Sequence, residues 1–239
     1  MKFNVNNPAF LQEAGAIGKP VKLFYVTSSV DGNDVMFVNT KLGAFSDNVQ
    51  YSTDNAATWN QLTADTVITL DAGETVYFRN YTGEVYNLAS GTPILVTSDM
   101  YSVGGDITAL FYPKTKQLPA YAFKDAFASD ENIEDASMLL LKATALAEYC
   151  YATMFSDCTS LTSAPELPAT ALAESCYDSM FSGCTSLTYI ECLAESVIDS
   201  AVESWVGGVA ASGTFTKAAG VEWPTGANGI PDGWNVVEA

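Results

Sequence analysis

An internal repeat with a period of 26 residues constrains this chain more than any other feature of its sequence. Residues 143–162 and 169–188 are identical at 16 of 20 aligned positions. A weaker copy lies 28 residues upstream of the first. The residues that align with the apolar positions of the strong copies are Ala122, Phe123, Ala126, Phe127, Asp130 and Ile133. Three copies of one short unit predict a stack of equivalent turns, because a single unit cannot bury its own apolar face.

The spacing of the apolar residues within each unit predicts an α-helix. They fall at positions i, i+1, i+4, i+5 and i+8, which share one face of a helix of about three turns. Residues 158–162 are suited to a brief strand, and the proline-bounded residues 165–168 return the chain to the next unit. We expect the structural core of the repeat to consist of Cys150, Tyr151, Met154, Phe155, Cys158, Leu161, Cys176, Tyr177, Met180, Phe181, Cys184 and Leu187.

The first half of the chain has a different pattern, which predicts an antiparallel β-sandwich. Short segments that alternate apolar and polar residues are separated by turn clusters, such as the one at residues 31–34. The predicted strands are 21–26, 35–39, 49–52, 67–70, 75–81 and 94–97. Residues 1–18 fit neither half, and we expect them to form an extended arm that docks on a partner subunit or packs on the sandwich.

The charge of the chain limits its partners. Ten basic and 28 acidic residues give a net charge of -18, which repels phosphate backbones and anionic bilayers, so we expect no nucleic-acid partner and no membrane insertion. Residues 1–117 carry a net charge of -4 and residues 118–239 a net charge of -14. This asymmetry favours a first half that packs on another protein and a second half that faces outward. The alternative is an acidic face that only keeps the repeat soluble.

The reactive residue types are few. The chain contains no histidine, which removes the usual general base and the commonest metal ligand. Five cysteines form no Cys-x-x-Cys pair, and four of them recur with the repeat. Buried core thiols are therefore favoured, and disulfides between turns are the alternative. We expect no catalytic residue, no metal site and no cofactor.

Several short motifs have a structural and a functional interpretation. The cluster at residues 31–34 (Asp-Gly-Asn-Asp) is favoured as a turn over a calcium loop. The glycosylation pattern at residues 80–82 is interpreted as accidental. Glu148 and Glu174 occupy the same repeat position, which indicates a solvated face rather than a carboxylate pair for glycoside hydrolysis. Aromatic residues that would stack on sugars if exposed, and that otherwise pack in the core, are Trp59, Tyr81 and Tyr86.

Residues 154–162 (Met-Phe-Ser-Asp-Cys-Thr-Ser-Leu-Thr) and 180–188 (Met-Phe-Ser-Gly-Cys-Thr-Ser-Leu-Thr) resemble the BspA-like leucine-rich repeats of gut-anaerobe surface proteins and their bacteriophages. The tail resembles that family's closing segment at residues 205–209, 213–217 and 229–234. Residues 51–59 and 70–79 resemble the β-domain that often precedes the repeats. The resemblance implies an α+β fold with an N-terminal antiparallel β-sandwich, a leucine-rich-repeat solenoid of about three turns and a C-terminal cap. The expected boundaries are 1–18 for the arm, 19–115 for the sandwich, 116–200 for the solenoid and 201–239 for the cap.

These features together predict a non-enzymatic structural or binding protein on the surface of a bacteriophage virion, of head-decoration or fibre type. The expected partners are further copies of the chain, other virion proteins through the N-terminal half, and a host surface protein or glycan through the solenoid. The chain starts without an apolar segment of signal-peptide length, so we expect synthesis in the host cytoplasm. The alternatives are a bacterial cell-surface adhesion module and, ranked lower, a carbohydrate-active enzyme.

Overall fold

The computed structural model describes residues 23–38, 48–63, 65–85, 94–113 and 117–239. The predicted arm at residues 1–18 lies outside these ranges. The strands are β1 (Phe24–Ser28), β2 (Asn33–Phe37), β3 (Val49–Ser52), β4 (Asn60–Gln61), β5 (Ile68–Leu70), β6 (Thr75–Asn80), β7 (Leu95–Thr97), β8 (Tyr101–Asp106), β9 (Ile133–Leu140), β10 (Tyr189–Cys192), β11 (Thr214–Lys217) and β12 (Asn235–Glu238). Helix α1 spans Ile107–Phe111, and a single 3-10 turn spans Asp199–Ala201.

The first half contains two sheets that share one core. A six-stranded sheet has the order β4-β3-β6-β1-β8-β9, and a three-stranded sheet has the order β5-β2-β7. Each strand predicted from alternation overlaps one of the observed strands, because residues that face the core alternate with residues that face away from it. Phe37 of β2 packs edge-on against Phe78 of β6, with ring centroids 4.7 Å apart, so side chains of the two sheets meet in the interior.

The six-stranded sheet is mixed, because its last pairing is parallel. Strands β4, β3, β6, β1 and β8 pair antiparallel, whereas β9 runs parallel to β8. Strand β9 lies between the weak copy of the repeat and the two strong copies, so the sheet continues into the second half of the chain. Tyr101 of β8 is fully buried, and its hydroxyl donates a 2.6 Å hydrogen bond to Oδ2 of Asp130.

The fold class expected from the sequence is wrong. Strands and bridges hold 31% of the described residues and helices only 5%, and the sheets are mixed. The described part of the chain contains no α-helix within the repeats and no closed solenoid of the leucine-rich type. An α+β fold, with a sandwich followed by such a solenoid, is therefore not what this sequence forms.

The predicted helix of each unit is replaced by a run of tight turns with a period of four residues. Tyr149, Thr153 and Asp157 have φ angles of 54°, 53° and 59°, in the left-handed region that interrupts a helix. The even-numbered residues 150–158 donate their N–H to the carbonyl three positions earlier, and the odd-numbered residues 149–157 donate to the next copy of the unit. The apolar spacing fits a strict four-residue period as well as a helical one, and this ambiguity produced the wrong prediction.

We call these stacked segments layers. Layer 1 is residues 121–130, layer 2 is 149–158, layer 3 is 175–184 and layer 4 is 200–209, and every adjacent pair is joined by main-chain hydrogen bonds. Layer 4 lies in the segment that the sequence assigned to a cap. Parallel pairing joins β10, β11 and β12 on another side of the stack, and single bridges extend that pairing from Tyr189 through Ser163 to Asp135 of β9.

Aromatic columns fill the interior of the stack. Phe127, Phe155 and Phe181 lie one per layer, with successive ring centroids 5.2 and 5.8 Å apart. The twelve residues expected to form the repeat core are all buried, with at most 1% of each exposed. One hydrophobic cluster extends from Phe24 in β1 to Trp234 before β12, so the interior is continuous between the two halves.

Candidate functional site

The repeated cysteines belong to the interior and present no reactive group to solvent. All five are buried free thiols. The thiols of Cys158 and Cys184 donate to the carbonyls of Phe127 and Phe155 of the preceding layer, each at 3.0 Å. Burial raises the pKa of the Cys184 thiol to about 12, so it stays protonated near neutral pH and is a poor nucleophile.

The outer surface of the stack is acidic. Residues 118–239 contain 17 acidic side chains, of which eleven are exposed and none is buried. Main-chain hydrogen bonds place Glu148 beside Glu174 at equivalent positions of adjacent layers, and Asp178 and Glu203 are placed in the same way. No cluster of three or more Cys, Asp or Glu residues suited to a metal ion occurs in the described part of the chain.

A stacked pair of tyrosines stands on this acidic surface. Tyr121 of layer 1 is 46% exposed and Tyr149 of layer 2 is half-buried. Their rings are 5.1 Å apart at an angle of 7°. Nζ of Lys124 lies 5.9 and 5.7 Å from the two ring centroids, close enough for a cation–π contact. Layer 3 has Ser175 in the equivalent place, so the aromatic column ends at Tyr149.

Reasoning from the sequence missed this tyrosine pair, although the repeat contains a signal for it. The four positions at which the two units differ include 149/175, 153/179 and 157/183. At these three positions both units have left-handed backbone. Asp157 is exposed, Ser175 is buried and the other four residues are half-buried. Variation within the repeat therefore marks the left-handed turn positions, and Tyr149 occupies one of them.

The aromatic residues singled out in the first half have different surroundings. Trp59 is half-buried, and Cζ of Arg79 lies 4.0 Å from the centroid of its ring. Tyr81 is 49% exposed. Tyr86 lies outside the described residues. Sequence reasoning did not single out Arg79, since a lone arginine in a strand gives no pattern.

The two remaining sequence motifs have structural roles. Asp31 and Gly32 form the turn between β1 and β2, where Oδ1 of Asp31 accepts from the Ala72 amide and the Gly32 amide donates to Asp71. These bonds fasten two neighbouring turns together. Nδ2 of Asn80 donates to the carbonyls of Glu84 and Leu110, so this side chain serves to hold the end of β6.

The described ranges contain no helix of the length and apolar character needed to cross a membrane. Comparisons with models of known protein families, with curated proteins and with solved structures found no match for this chain.

Proposed function

We propose that this protein is a non-enzymatic binding and structural protein of a bacteriophage virion surface, and that its layered half contacts glycans of the host surface. The observation that carries the proposal is the stacked Tyr121–Tyr149 pair, of which Tyr121 is exposed and Tyr149 half-buried, on a scaffold whose layers are joined by main-chain hydrogen bonds. A rigid scaffold holds binding side chains in place before the ligand arrives, which lowers the entropy lost on binding.

The chemistry of the surface fits a saccharide. Tyrosine rings offer flat apolar faces to the C–H groups of a sugar and a hydroxyl at the edge. Glu148 and Glu174 are exposed beside the tyrosine column, and their carboxylates accept hydrogen bonds from sugar hydroxyls. Strongly anionic polymers are disfavoured as ligands, because the second half carries a net charge of -14.

The first half is the better candidate for attachment to the particle. The first half has a net charge of -4 and the second half a net charge of -14. Electrostatic repulsion therefore opposes association with other proteins less strongly at the first half. The resemblance of the repeat units to those of surface proteins and their bacteriophages supports a virion location, and virion appendages follow symmetric assemblies. We therefore propose a homo-oligomer that contacts other virion proteins through its first half.

Binding to a glycan array and to host cells tests the contact surface. Tyr121→Ser and Tyr149→Ser introduce the residue that layer 3 has in the same left-handed position, so both variants keep the fold. Each is expected to weaken binding about two- to tenfold, because aromatic stacking adds roughly 0.5–1.5 kcal/mol beyond burial. Val67→Ser is the control, since Val67 is 51% exposed, lies in the first half and is not one of the aromatic candidates. Equal losses in all three variants would contradict the proposed contact.

Sedimentation with purified particles tests the location. Recovery of the protein in virions supports the assignment, whereas a protein that stays monomeric and never sediments with particles contradicts it. Recovery in the bacterial envelope would instead indicate a cell-surface adhesion module. Light scattering on the full chain, and on a version that lacks residues 1–18, tests whether the arm is needed for assembly.

A further inference from the structure

The face of the six-stranded sheet that points away from the core carries the only arginine of the chain. Arg79 of β6 pairs in register with Gln50 of β3, so both side chains leave the same face of the sheet. Nε and Nη2 of Arg79 donate to Oε1 of Gln50 at 2.9 and 2.6 Å. A neutral acceptor therefore holds the guanidinium in one orientation.

Trp59 fixes the guanidinium from a second direction. Cζ of Arg79 lies 4.0 Å from the centroid of the Trp59 ring, and Trp59 itself packs against the cluster that contains Tyr77. The loop before Trp59 is closed by Asp54, whose carboxylate accepts from the amide and the hydroxyl of Thr58 at 2.9 and 2.6 Å. The cation is therefore oriented before any ligand binds.

Arg79 has no carboxylate partner in the part of the chain that the structure describes. The ion pairs there are Lys142–Asp106 and Lys217–Glu238. A guanidinium has five N–H donors, and Gln50 takes two of them. The remaining edge, formed by Nη1 and Nη2, matches the bidentate geometry of a carboxylate. In a chain with 28 acidic residues, the single arginine is thus oriented for an anion that the described residues do not supply.

We infer that Arg79, Gln50 and Trp59 form a binding site for a saccharide that carries one carboxylate, such as a uronic or sialic acid. The guanidinium takes the carboxylate, and the neighbouring groups bind the neutral part of the sugar. Gln61 of the edge strand β4 is exposed and pairs in register with Gln50 of β3. Its side chain therefore leaves the same face of the sheet as Arg79 and adds a polar group next to Gln50.

The local charge favours a ligand with a single negative group over a polyanion. One cation neutralises one carboxylate, while every further negative charge is repelled by the surplus of acidic residues. The site lies in the first half of the chain and shares no residue with the Tyr121–Tyr149 pair. Its ligand therefore follows from its own geometry, and the two sites are tested separately.

Calorimetric titration of the full chain with glucuronic acid, N-acetylneuraminic acid, glucose and acetate tests the site. At least one sugar acid is expected to bind about tenfold more tightly than glucose, which lacks the carboxylate, and than acetate, which lacks the sugar. Arg79→Met is expected to lose about tenfold in affinity for that acid. Lys217→Met removes the same charge from β11, outside both candidate sites, and is expected to bind the acid as the parent protein does.

Gln50→Glu gives a second test that does not depend on the stability of an Arg79 variant. The new carboxylate lies where Oε1 of Gln50 now accepts from Arg79, so it neutralises the guanidinium from within the protein. Loss of sugar-acid binding with an unchanged or raised melting temperature is the expected result. Undiminished binding in Gln50→Glu, equal binding of acetate or glucose, or no binding of either acid would each overturn the inference.

Discussion

Gly183 shows how one residue limits the sequence of a layer. Its φ is +77°, and a Cβ atom there would lie 2.1 Å from Oδ1 of Asp157 in the layer before. Layer 2 has Asp157 itself at the equivalent position, also with left-handed backbone. An added side-chain atom at Gly183 would therefore meet the Asp157 side chain, whereas Ser129 and Asp157 are both accommodated at the equivalent positions of layers 1 and 2.

We predict that Gly183→Ala destabilises the protein more than Gly220→Ala does. Gly220 has a similar φ of +74° but nothing within 4 Å of the added Cβ, so it measures the backbone effect alone, about 1–2 kcal/mol. The added Cβ meets the end of the exposed Asp157 side chain, which must turn away, and this is expected to add roughly 0.5–1.5 kcal/mol. Urea denaturation measures both variants. Adding Asp157→Gly should return Gly183→Ala to the level of Gly220→Ala, and equal losses in the two single variants would contradict the clash.

The buried thiols predict how stability depends on pH. Burial raises the pKa of Cys150, Cys176, Cys184 and Cys192 to about 12, from an ordinary value of 9.0. The folded state thus keeps protons that the unfolded state loses. The free energy of unfolding should be unaffected by these groups below pH 9 and fall between pH 9 and 12, by up to about 1.4 kcal/mol per pH unit for each thiol.

Urea denaturation at several pH values between 8 and 11 checks this dependence. Cys184→Ala removes one titrating group, so its stability should fall less steeply with pH than that of the parent protein. The native protein should also resist alkylation at pH 8, while all five thiols react after unfolding. An identical slope in both proteins, or rapid alkylation of the native state, would show that the thiols are not protected.

At the scale of elements, layer 1 differs from the others where it meets strand β8. Asp130 takes the position that Cys158 and Cys184 hold in later layers, and it accepts the hydroxyl of Tyr101 at 2.6 Å. Burial raises the pKa of both Tyr101 and Asp130. This hydrogen bond joins the first sheet to the first layer.

A double-mutant cycle is expected to show strong coupling between these two residues. Tyr101→Phe should destabilise the protein by about 1.5–3 kcal/mol, because it removes the hydroxyl donor of the half-buried Asp130 carboxylate. Asp130→Cys introduces the residue that other layers use but leaves the tyrosine hydroxyl without its acceptor. The double variant should lose less stability than the sum of the two single losses in chemical denaturation. Additive losses would mean that the hydrogen bond adds nothing of its own.

Local patterns predicted the strands better than the repeats. The alternation of apolar and polar residues located β3, whose predicted and observed bounds coincide at Val49–Ser52. Side chains of a strand point in turn to the core and away from it, which gives the sequence a clear period of two residues. The four-residue period of the repeats was interpreted as helical, since Met154 and Phe155 follow Cys150 and Tyr151 at a spacing that suits both structures. Gly183 was the contrary signal, because glycine in place of Asp157 marks a left-handed position.

The candidate sites were harder to predict for a physical reason. The tyrosine pair forms because Tyr121 and Tyr149 come from different repeat units that stack on each other. Only the register between the layers determines which residues of the two units become neighbours. The Arg79 site depends on the pairing of β3 with β6 and on the loop that brings Trp59 over the guanidinium. Such contacts join residues 20 or more positions apart in the chain, beyond the reach of local pattern analysis.

At the scale of the whole molecule, the continuous core predicts cooperative unfolding. One hydrophobic cluster contains both Phe24 and Trp234, so neither half loses its structure without exposing part of the other. We expect a single transition. Phe78→Ala in the first half should destabilise the protein by about 3–5 kcal/mol, and the second half should unfold at the same reduced urea concentration.

Tryptophan fluorescence isolates the second half for this experiment. Trp59→Phe leaves Trp205, Trp223 and Trp234, which all lie in that half. In the Trp59→Phe protein, Phe78→Ala should lower the urea midpoint measured by fluorescence. It should lower the midpoint measured by circular dichroism by the same amount. A fluorescence midpoint that stays in place would show that the halves unfold independently.

The ladder of N–H groups that each layer donates to the next also bears on how such a chain changes in evolution. Every internal layer presents the same N–H donors on one side and the same carbonyl acceptors on the other. The interface between two layers is therefore the same at every place in the stack. Duplication of one 26-residue unit would lengthen the molecule by a fixed increment, close to the 5.2–5.8 Å between successive phenylalanine rings. The length of the stack can thus change in whole layers by recombination alone, without a change in the sequence on either side of it.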